Sequence, residues 1–241
     1  MPSRTIDAAK QAVRERVWNL LEAEHAVEPG VHGHIPDFVG AAAAADCLAS
    51  LPAWKNAQII KAVPDTAQLP VRARALADGK TVYMAVPKLA EAEPFYLLDP
   101  TALALAPAEA ATMRAAATHA PRLGIDEMQP INLVVCGSVA VNRNGDRIGK
   151  GAGYSDLEVA LLHDAGLLGR DTLIATTVHP LQVLDEELPA TDHDFQVDLI
   201  VTPNAAVSCR PSRQRIGIRW DDLPADYTSA IPVLASLGSA R

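Results

Sequence analysis

The sequence predicts an α/β fold in three layers, with helices on both faces of a mostly parallel β-sheet. Short apolar runs typical of buried strands alternate along the chain with longer segments of helical periodicity. The composition, with 49% hydrophobic and 21% charged residues, is that of a globular protein. A chain of 241 residues is long enough to bury a sizeable core. We therefore expect a single α/β domain over residues 1–220 and a C-terminal extension over residues 221–241.

The N-terminal part of the chain is predicted to be mainly helical. Apolar residues recur at steps of three and four over Ile6–Ala26, which predicts an amphipathic helix that ends before Pro29. A loop is expected over Val31–Phe38. The Ala-rich segment Val39–Leu51 predicts a second helix, closed by Pro52.

The central part of the chain alternates between strand and helix patterns. The run Ala57–Val63 is typical of a strand, and a helix is predicted over Leu69–Asp78 with Gly79 as its C′ residue. The next strand, Thr81–Val86, is apolar enough to be buried on both faces. The segment Glu91–Ala111 has no clear periodicity.

The C-terminal part contains the clearest strand signal, the apolar region Ile131–Val141. A helix is predicted over Asp156–Ala165. Further strands are predicted over Thr172–Val178, Val197–Thr202 and Ile216–Trp220. The tail that follows is rich in Pro, Ala and Ser, and we expect it to be loosely attached.

Composition also excludes several classes of function. A net charge of −8 argues against nonspecific binding to nucleic acid or anionic membranes, and 4% aromatic residues are too few for stacking on single-stranded nucleic acid. No apolar run is long enough to span a membrane, and the N-terminus lacks the apolar core of a signal peptide. The 3 cysteines form no metal or disulfide pattern. We expect a cytoplasmic protein that acts on a small molecule, as a monomer or small homo-oligomer, without nucleic acid or membrane partners.

The strongest chemical signal is a glycine-rich segment between a predicted strand and a predicted helix, Arg147–Asp156, which reads RIGKGAGYSD. Alternating glycines let the backbone approach a bulky anion, and consecutive N–H groups can form an anion-binding concavity at the helix N-terminus. Lys150 adds a point charge and Arg147 a planar fork. Asp156 could cap the helix or hold Mg²⁺. The alternative is a tight turn with solvated charges.

At these residues the sequence resembles the 5-formyltetrahydrofolate cyclo-ligase family, whose motif has the form N-R-L-G-x-G-x-G-Y-Y-D. The resemblance extends in order along residues 10–203. Its further matches are Lys10, Arg14, Gln182, Leu188-Pro189, His193-Asp194, Asp198 and Val201-Thr202.

This resemblance implies a reaction that depends on ATP and Mg²⁺, in which the formyl oxygen of 5-formyltetrahydrofolate accepts a phosphoryl group and ring closure gives 5,10-methenyltetrahydrofolate. It implies that cations contact the phosphates and that the glycines of the loop cradle them. The residues assigned to the phosphates are Lys10, Arg14, Arg147, Lys150, Gly149, Gly151, Gly153 and Tyr154, with Arg147 and Lys150 also catalytic. Asp156 is assigned to the metal. Tyr154 is also assigned to the substrate. Independently of the resemblance, His179 follows a predicted strand and could face the substrate, with a structural histidine as the alternative.

Two departures from the family pattern affect the folate side. Ser155 stands where the family has a second tyrosine, and Val63 stands where it has a glutamate that meets the pterin. The loop and the segment His34–Gly40 are closer to a divergent branch, the methenyltetrahydrofolate synthetase domain-containing proteins. We therefore keep two alternatives: the same chemistry on a non-folate heterocycle, possibly thiamine-related, and a nucleotide-binding protein without turnover.

Two histidine-containing segments are weaker candidates for functional sites. His32 and His34, with His25 nearby, lack the cysteine or acidic partners of a common metal site, so we favour a loop role. His193-Asp194 suggests an acid–base pair, but sequence neighbours rarely face one target, so a turn or N-cap role is preferred.

Overall fold

The computed structural model describes residues 2–211, 217–223, 227 and 230–239. Its strands are β1 (Ile59–Ala62), β2 (Thr81–Ala85), β3 (Phe95–Leu98), β4 (Arg122–Leu123), β5 (Ile131–Cys136), β6 (Ala140–Asn142), β7 (Arg147–Ile148), β8 (Leu168–Thr177), β9 (Val183–Leu184), β10 (Leu199–Val201) and β11 (Ala206–Ser208). Its helices are α1 (Pro2–Ala23), α2 (Ala41–Ser50), α3 (Pro52–Asn56), α4 (Leu69–Ala77), α5 (Pro107–Ala110), α6 (Met113–His119), α7 (Tyr154–Asp164) and α8 (Pro232–Ser239). Short 3₁₀ turns lie at Thr66–Gln68, Pro87–Leu89, Ile125–Glu127, Pro180–Gln182 and Trp220–Asp222.

The central sheet contains 8 of the described strands in the order β11-β10-β8-β5-β1-β2-β3-β4. The strands from β10 to β2 are parallel to their neighbours, and antiparallel strands flank them at both edges. The middle strands are apolar almost throughout because both faces of a parallel sheet are covered. The predicted mostly parallel sheet is therefore confirmed.

Successive residues of the middle strands pack into two different cores. In β5, Leu133 and Val135 pack against α2 and α4, whereas Val134 and Cys136 pack on the opposite face against α7. This alternation is the period-2 pattern of a strand that is buried on both sides. Helices cover both faces, which confirms the three-layer prediction.

A second, three-stranded sheet in the order β7-β6-β9 positions the glycine-rich loop. The predicted strand Ile131–Val141 divides at Gly137, and its second half joins this smaller sheet as β6. A Cβ atom at Gly137 would lie 2.6 Å from the side chain of Ile35. Glycine at position 137 therefore lets the segment that carries Ile35 pack closely against the strand. A third core cluster joins α1, the segment between α1 and α2, and the small sheet, and so connects this sheet to the rest of the protein.

Several elements differ from their predicted extent. Pro52 begins α3 instead of closing α2, because proline is well tolerated at the first position of a helix. The weakly patterned segment contains β3, where Phe95–Leu98 pairs antiparallel with β2. The aromatic and aliphatic residues of β3 suit a strand, but four residues are too few to show a period.

The C-terminal segment also differs from expectation. Ile216 lies outside the described residues, and Gly217–Arg219 are not a strand, because the backbone N–H of Ile218 donates to the side chain of Asp164 at 2.9 Å. The tail was expected to be loosely attached, but Ile231 and Leu234 are buried in the main core. In the described ranges, no helix has both the length and the apolar character that crossing a bilayer requires.

Candidate active site

The glycine-rich loop links β7 to the N-terminus of α7. Gly151 and Gly153 have φ angles of 107° and 70°, which other residues rarely adopt, and they reverse the chain so that α7 points its N-terminus at the loop. Gly153 is the N-cap residue, so the predicted N-cap role of Asp156 is wrong: Asp156 lies in the first turn. Its carboxylate is instead available to the site.

Arg147 is the most deeply placed cation of the site. Its side chain is 2% exposed, and its Nη2 atom donates to Oδ2 of Asp156 at 3.0 Å. The guanidinium carbon lies 4.1 Å from the ring centre of Phe195. Burial lowers the pKa of Arg147, but Asp156 and other nearby groups outweigh burial and hold the pKa above its usual value. The Nε atom is buried and has no partner among the described residues. Arg147 is therefore a positive charge that its neighbours hold in place.

Lys10 reaches the site from α1. Its Nζ atom lies 2.7 and 2.6 Å from the two carboxylate oxygens of Asp194. Asp194 also accepts from the backbone N–H of Thr191 at 2.6 Å, which agrees with the turn role predicted for this segment. Burial raises the pKa of Asp194, but the hydrogen bonds from Lys10 and Thr191 outweigh it and lower the pKa. Asp194 thus holds Lys10 at the cleft as well as closing a turn.

Arg14 and Lys150 complete the set of cations. Nε of Arg14, one turn after Lys10 on α1, donates to the carbonyl oxygen of Gly149 at 2.7 Å. Burial lowers the pKa of Arg14. Nζ of Lys150 donates to Oδ1 of Asp65 at 2.7 Å, and the Lys150 side chain is 41% exposed. Lys150 is therefore the cation that can move most easily.

These side chains line one cleft of about 200 Å³. The predicted residues that it brings together are Lys10, Arg14, Arg147, Gly149, Lys150, Gly151, Gly153, Tyr154 and Asp156. Three of its cations pair with three carboxylates, namely Lys10 with Asp194, Arg147 with Asp156 and Lys150 with Asp65. Such a cleft can bind a polyanion whose oxygens replace the carboxylates on the cations.

The loop that carries Asp65 is held by Arg72. The Arg72 side chain is buried, and its guanidinium donates to the backbone oxygens of Val63, Asp65 and Ala111. Burial lowers the pKa of Arg72 to about 10. Val63 itself points into the main core. The hydrogen bonds from Arg72 thus hold this loop in place, and Asp65 lines the cleft.

The structure places His179 away from the lining of this cleft. Its Nδ1 atom accepts from the backbone N–H of Leu181 at 3.2 Å, which caps the turn Pro180–Gln182. Its ring packs edge-on against Phe38 at 6.3 Å. Burial lowers its pKa. A substrate role for His179 stays a prediction, and its observed contacts are structural.

The histidine segment near the N-terminus also has a structural position. His32 lies 2.9 Å from a carboxylate oxygen of Glu15 and packs against Trp18. Over the ranges that the structure describes, no group of three or more His, Cys, Asp or Glu residues is placed to hold a metal ion by itself.

Sequence reasoning missed several residues of the cleft. Neither Asp65 nor Asp7 is among the predicted site residues, and Asp194 is predicted only as part of a matching motif and as a turn residue. Asp65 lies 85 positions from its partner Lys150 and Asp194 lies 184 positions from Lys10, so neither pair has a local spacing signal. The one usable signal was the order of matching motifs along the chain.

Comparison with known proteins identifies the family of this chain. The family model described as the 5-formyltetrahydrofolate cyclo-ligase family matches residues 6–203. The methenyltetrahydrofolate synthase domain-containing protein of Mus musculus is 36% identical over 235 residues, which cover 95% of this chain and 63% of that protein. The protein of the same name from Homo sapiens is 33% identical over 244 residues, covering 98% of this chain and 63% of that protein. The chain therefore spans less than two thirds of the length of these relatives.

A solved structure shares the fold. The NMR structure of Aquifex aeolicus 5,10-methenyltetrahydrofolate synthetase superposes with a TM-score of 0.52 at 19% sequence identity, covering 87% of this chain and 95% of that chain. The family match spans α1, the glycine-rich loop and Asp194, which together build the cleft. The chain therefore belongs to the 5-formyltetrahydrofolate cyclo-ligase family.

Proposed function

We propose that this protein converts 5-formyltetrahydrofolate to 5,10-methenyltetrahydrofolate in a reaction that depends on ATP and Mg²⁺. The observation that carries the proposal is the convergence of four cationic side chains on a glycine loop at the N-terminus of α7. The family indicates the class of reaction, and the cations of the cleft suit the negative charge of ATP phosphates.

The cleft fits the phosphates of ATP. Arg147 and the backbone around Gly151 and Gly153 line the cleft, where their N–H groups can donate to phosphate oxygens. The pair between Lys150 and Asp65 is partly exposed, and such pairs contribute only about 0–1 kcal/mol. A phosphate group can therefore replace Asp65 as the partner of Lys150 with little loss of free energy.

Asp156 fits the part of a Mg²⁺ ligand. Mg²⁺ sites next to nucleotides commonly use one or two carboxylates together with phosphate oxygens, so a larger protein cluster is not required. The Asp156 side chain is 21% exposed at the cleft, and its Oδ1 atom has only a long contact of 3.4 Å with the backbone N–H of Phe195. When bound, Mg²⁺ neutralises charge on the transferring phosphate.

The residues of the chain act mainly by positioning and charge neutralisation, as phosphoryl transfer requires. Arg147 is held rigidly by Asp156 and Phe195, so it offers a preorganised charge that needs no reorientation. Lys150 is more mobile and follows the terminal phosphate as the formyl oxygen attacks it. The bond from the γ-phosphorus to ADP breaks as the formyl oxygen takes the phosphoryl group. The N10 nitrogen of the folate then attacks the activated carbon and loses its proton, and inorganic phosphate leaves with the former formyl oxygen.

A non-folate heterocycle is a second candidate substrate. Val63 is 1% exposed and belongs to the main core, so position 63 offers no side-chain acceptor to a pterin ring. A site that lacks a needed acceptor loses affinity for a ligand with buried donors. This observation favours a heterocycle with fewer ring donors, activated by the same phosphate site.

The test is the absorbance of the methenyltetrahydrofolate product in a mixture of protein, ATP, Mg²⁺ and 5-formyltetrahydrofolate. The proposal predicts a rise that needs all four components and is lost in Lys150→Ala. The control is Lys55→Ala, an exposed lysine on α3 outside the cleft. If ATP binds but no product band forms, the non-folate candidate takes the place of the first.

A further inference from the structure

Three carbonyl groups of the glycine-rich loop already accept hydrogen bonds from other parts of the protein. The carbonyl oxygen of Gly149 accepts from Nε of Arg14 at 2.7 Å, and that of Ala152 accepts from the Tyr227 hydroxyl at 2.8 Å. The carbonyl oxygen of Gly153 accepts from a backbone N–H of α7 at 3.1 Å. A loop of this kind binds an anion through converging N–H groups, so carbonyl oxygens with partners elsewhere do not turn towards the anion and repel it.

The bond from Tyr227 sets the direction of the peptide group between Ala152 and Gly153. Both of these residues line the phosphate cleft, whereas Tyr227 is not part of its lining. The peptide is trans, so its C=O and N–H bonds point in opposite directions within one plane. Because the Ala152 oxygen is directed at Tyr227, the N–H group of Gly153 is directed away from Tyr227.

This peptide group has unusual freedom to rotate. Gly151 and Gly153 stand on either side of Ala152, and both have positive φ angles. Glycine adopts positive and negative φ with similar ease, so a peptide group between glycines has more than one accessible orientation. A hydrogen bond to the Ala152 carbonyl therefore selects one orientation from several.

Tyr227 is itself held by contacts outside the loop strand that it bonds. Its ring stacks on Tyr154, the first residue of α7, with ring centres 5.7 Å apart and planes inclined by 7°. Its carbonyl oxygen accepts from the backbone N–H of Ile231 at 3.0 Å. Ile231 and Leu234 are buried in the main core. The core and α7 thus fix the place of the hydroxyl relative to the loop.

We propose that Tyr227 is a positioning residue of the phosphate site, which fixes the peptide between Ala152 and Gly153 so that the Gly153 N–H donates to a phosphate oxygen. The inference rests on the proposed function, because it assigns a cause to the shape of the loop that binds the phosphates. Rotation of the same peptide would turn the Ala152 oxygen towards the phosphates. The C-terminal segment, beyond the matched residues 6–203, thereby supports phosphate binding without touching the phosphate.

Tyr227→Phe tests this role because it removes the hydroxyl and keeps the ring that stacks on Tyr154. Calorimetry in Mg²⁺ measures the affinity of the wild type and the variant for inorganic tripolyphosphate and for ATP. We expect both affinities to fall by the same factor, roughly threefold to tenfold, which corresponds to the loss of one hydrogen bond. Tyr96→Phe, the same change at a tyrosine on β3 outside the cleft, is the matched control and should bind like the wild type.

A second measurement separates positioning from a general loss of structure. In protein labelled with ¹⁵N-glycine, the backbone amide signal of Gly153 should shift when tripolyphosphate is added to the wild type, and it should shift much less in Tyr227→Phe at the same ligand concentration. The signals of glycines far from the loop, such as Gly79, should be alike in both proteins.

The outcomes distinguish this role from the proposed function. Tripolyphosphate affinity in Tyr227→Phe equal to that of the wild type, with the same response of the Gly153 signal, would overturn the positioning role and leave the proposed function intact. An equal loss of affinity in Tyr96→Phe would also overturn it. Failure of the wild type to bind either ATP or tripolyphosphate would overturn the phosphate site, and the role of Tyr227 with it.

Discussion

Nζ of Lys10 lies 2.7 and 2.6 Å from the two carboxylate oxygens of Asp194, which is 184 positions further along the chain. The two side chains are only 11% and 15% exposed. This pair fastens α1 to the loop before Phe195, and so it fixes the side of the cleft on which Arg14 also lies. Its contribution to stability can be measured by titration.

The first prediction concerns the pH dependence of folding. The pKa of Asp194 is lower in the folded protein than in the unfolded chain, so its carboxylate stabilises the fold above about pH 4. That contribution is lost as the pH falls through the folded pKa. Urea unfolding of the wild type should therefore show a steeper loss of stability below about pH 4 than Asp194→Asn. Equal slopes for both proteins would contradict the lowered pKa.

The second prediction concerns the shape of the Arg147 side chain. Arg147→Lys keeps the charge but loses the planar fork that meets Asp156 and stacks on Phe195. We expect ATP affinity to fall at least about tenfold, together with a measurable loss of stability, because lysine keeps the charge beside Asp156 but cannot replace the planar contacts. Calorimetry and chemical unfolding measure the two effects. Arg143→Lys, at an exposed arginine, is the control and should change neither.

The third prediction concerns the buried pair of Lys61 and Glu158, which joins β1 to α7. Their side chains are 1% and 7% exposed, so removing one partner leaves an uncompensated buried charge. Lys61→Met should destabilise the protein by about 3–5 kcal/mol, and Lys61→Met with Glu158→Leu should recover most of that loss. A double mutant as unstable as the single one would show that packing, and not charge, dominates at this position.

The fourth prediction concerns the backbone of the phosphate loop. Gly151→Ala places a side chain at a φ of 107°, where its Cβ would also lie 3.4 Å from the Arg14 guanidinium. We expect a loss of at least about 1 kcal/mol in stability, together with weaker ATP binding. Gly169→Ala is the matched control, because its Cβ would meet only Thr172 Oγ1 at 3.9 Å and its φ is not in the left-handed region. Equal effects of both substitutions would contradict the role of loop conformation.

The local parts of this site could be predicted from the sequence because they are contiguous. Arg147, the glycines and Asp156 occupy one short segment, and the strand, loop and helix that hold them follow from its pattern. The sheet was predictable for a related reason, since buried parallel strands such as β2 and β5 are continuous apolar runs.

The pairings across the site could not be predicted in the same way. That Lys150 meets Asp65, or that Tyr227 stacks on Tyr154, depends on how distant segments pack. The break at Gly137 is similar, because the apolar run continues through it and the close approach of Ile35 is a contact between distant segments. The C-terminal segment has no strong periodicity, so the contact of Ile218 with α7 could not be predicted from the sequence either.

The central claim is that the cleft around Gly149–Gly153 binds the phosphates of ATP, and Lys150 tests it most directly. Calorimetric titration of ATP in Mg²⁺ compares the wild type with Lys150→Ala and the control Lys55→Ala. We predict that Lys150→Ala loses at least about tenfold in affinity, as expected when a cation that meets phosphate is removed, while Lys55→Ala binds like the wild type. ATP affinity in Lys150→Ala equal to that of the wild type would contradict the account.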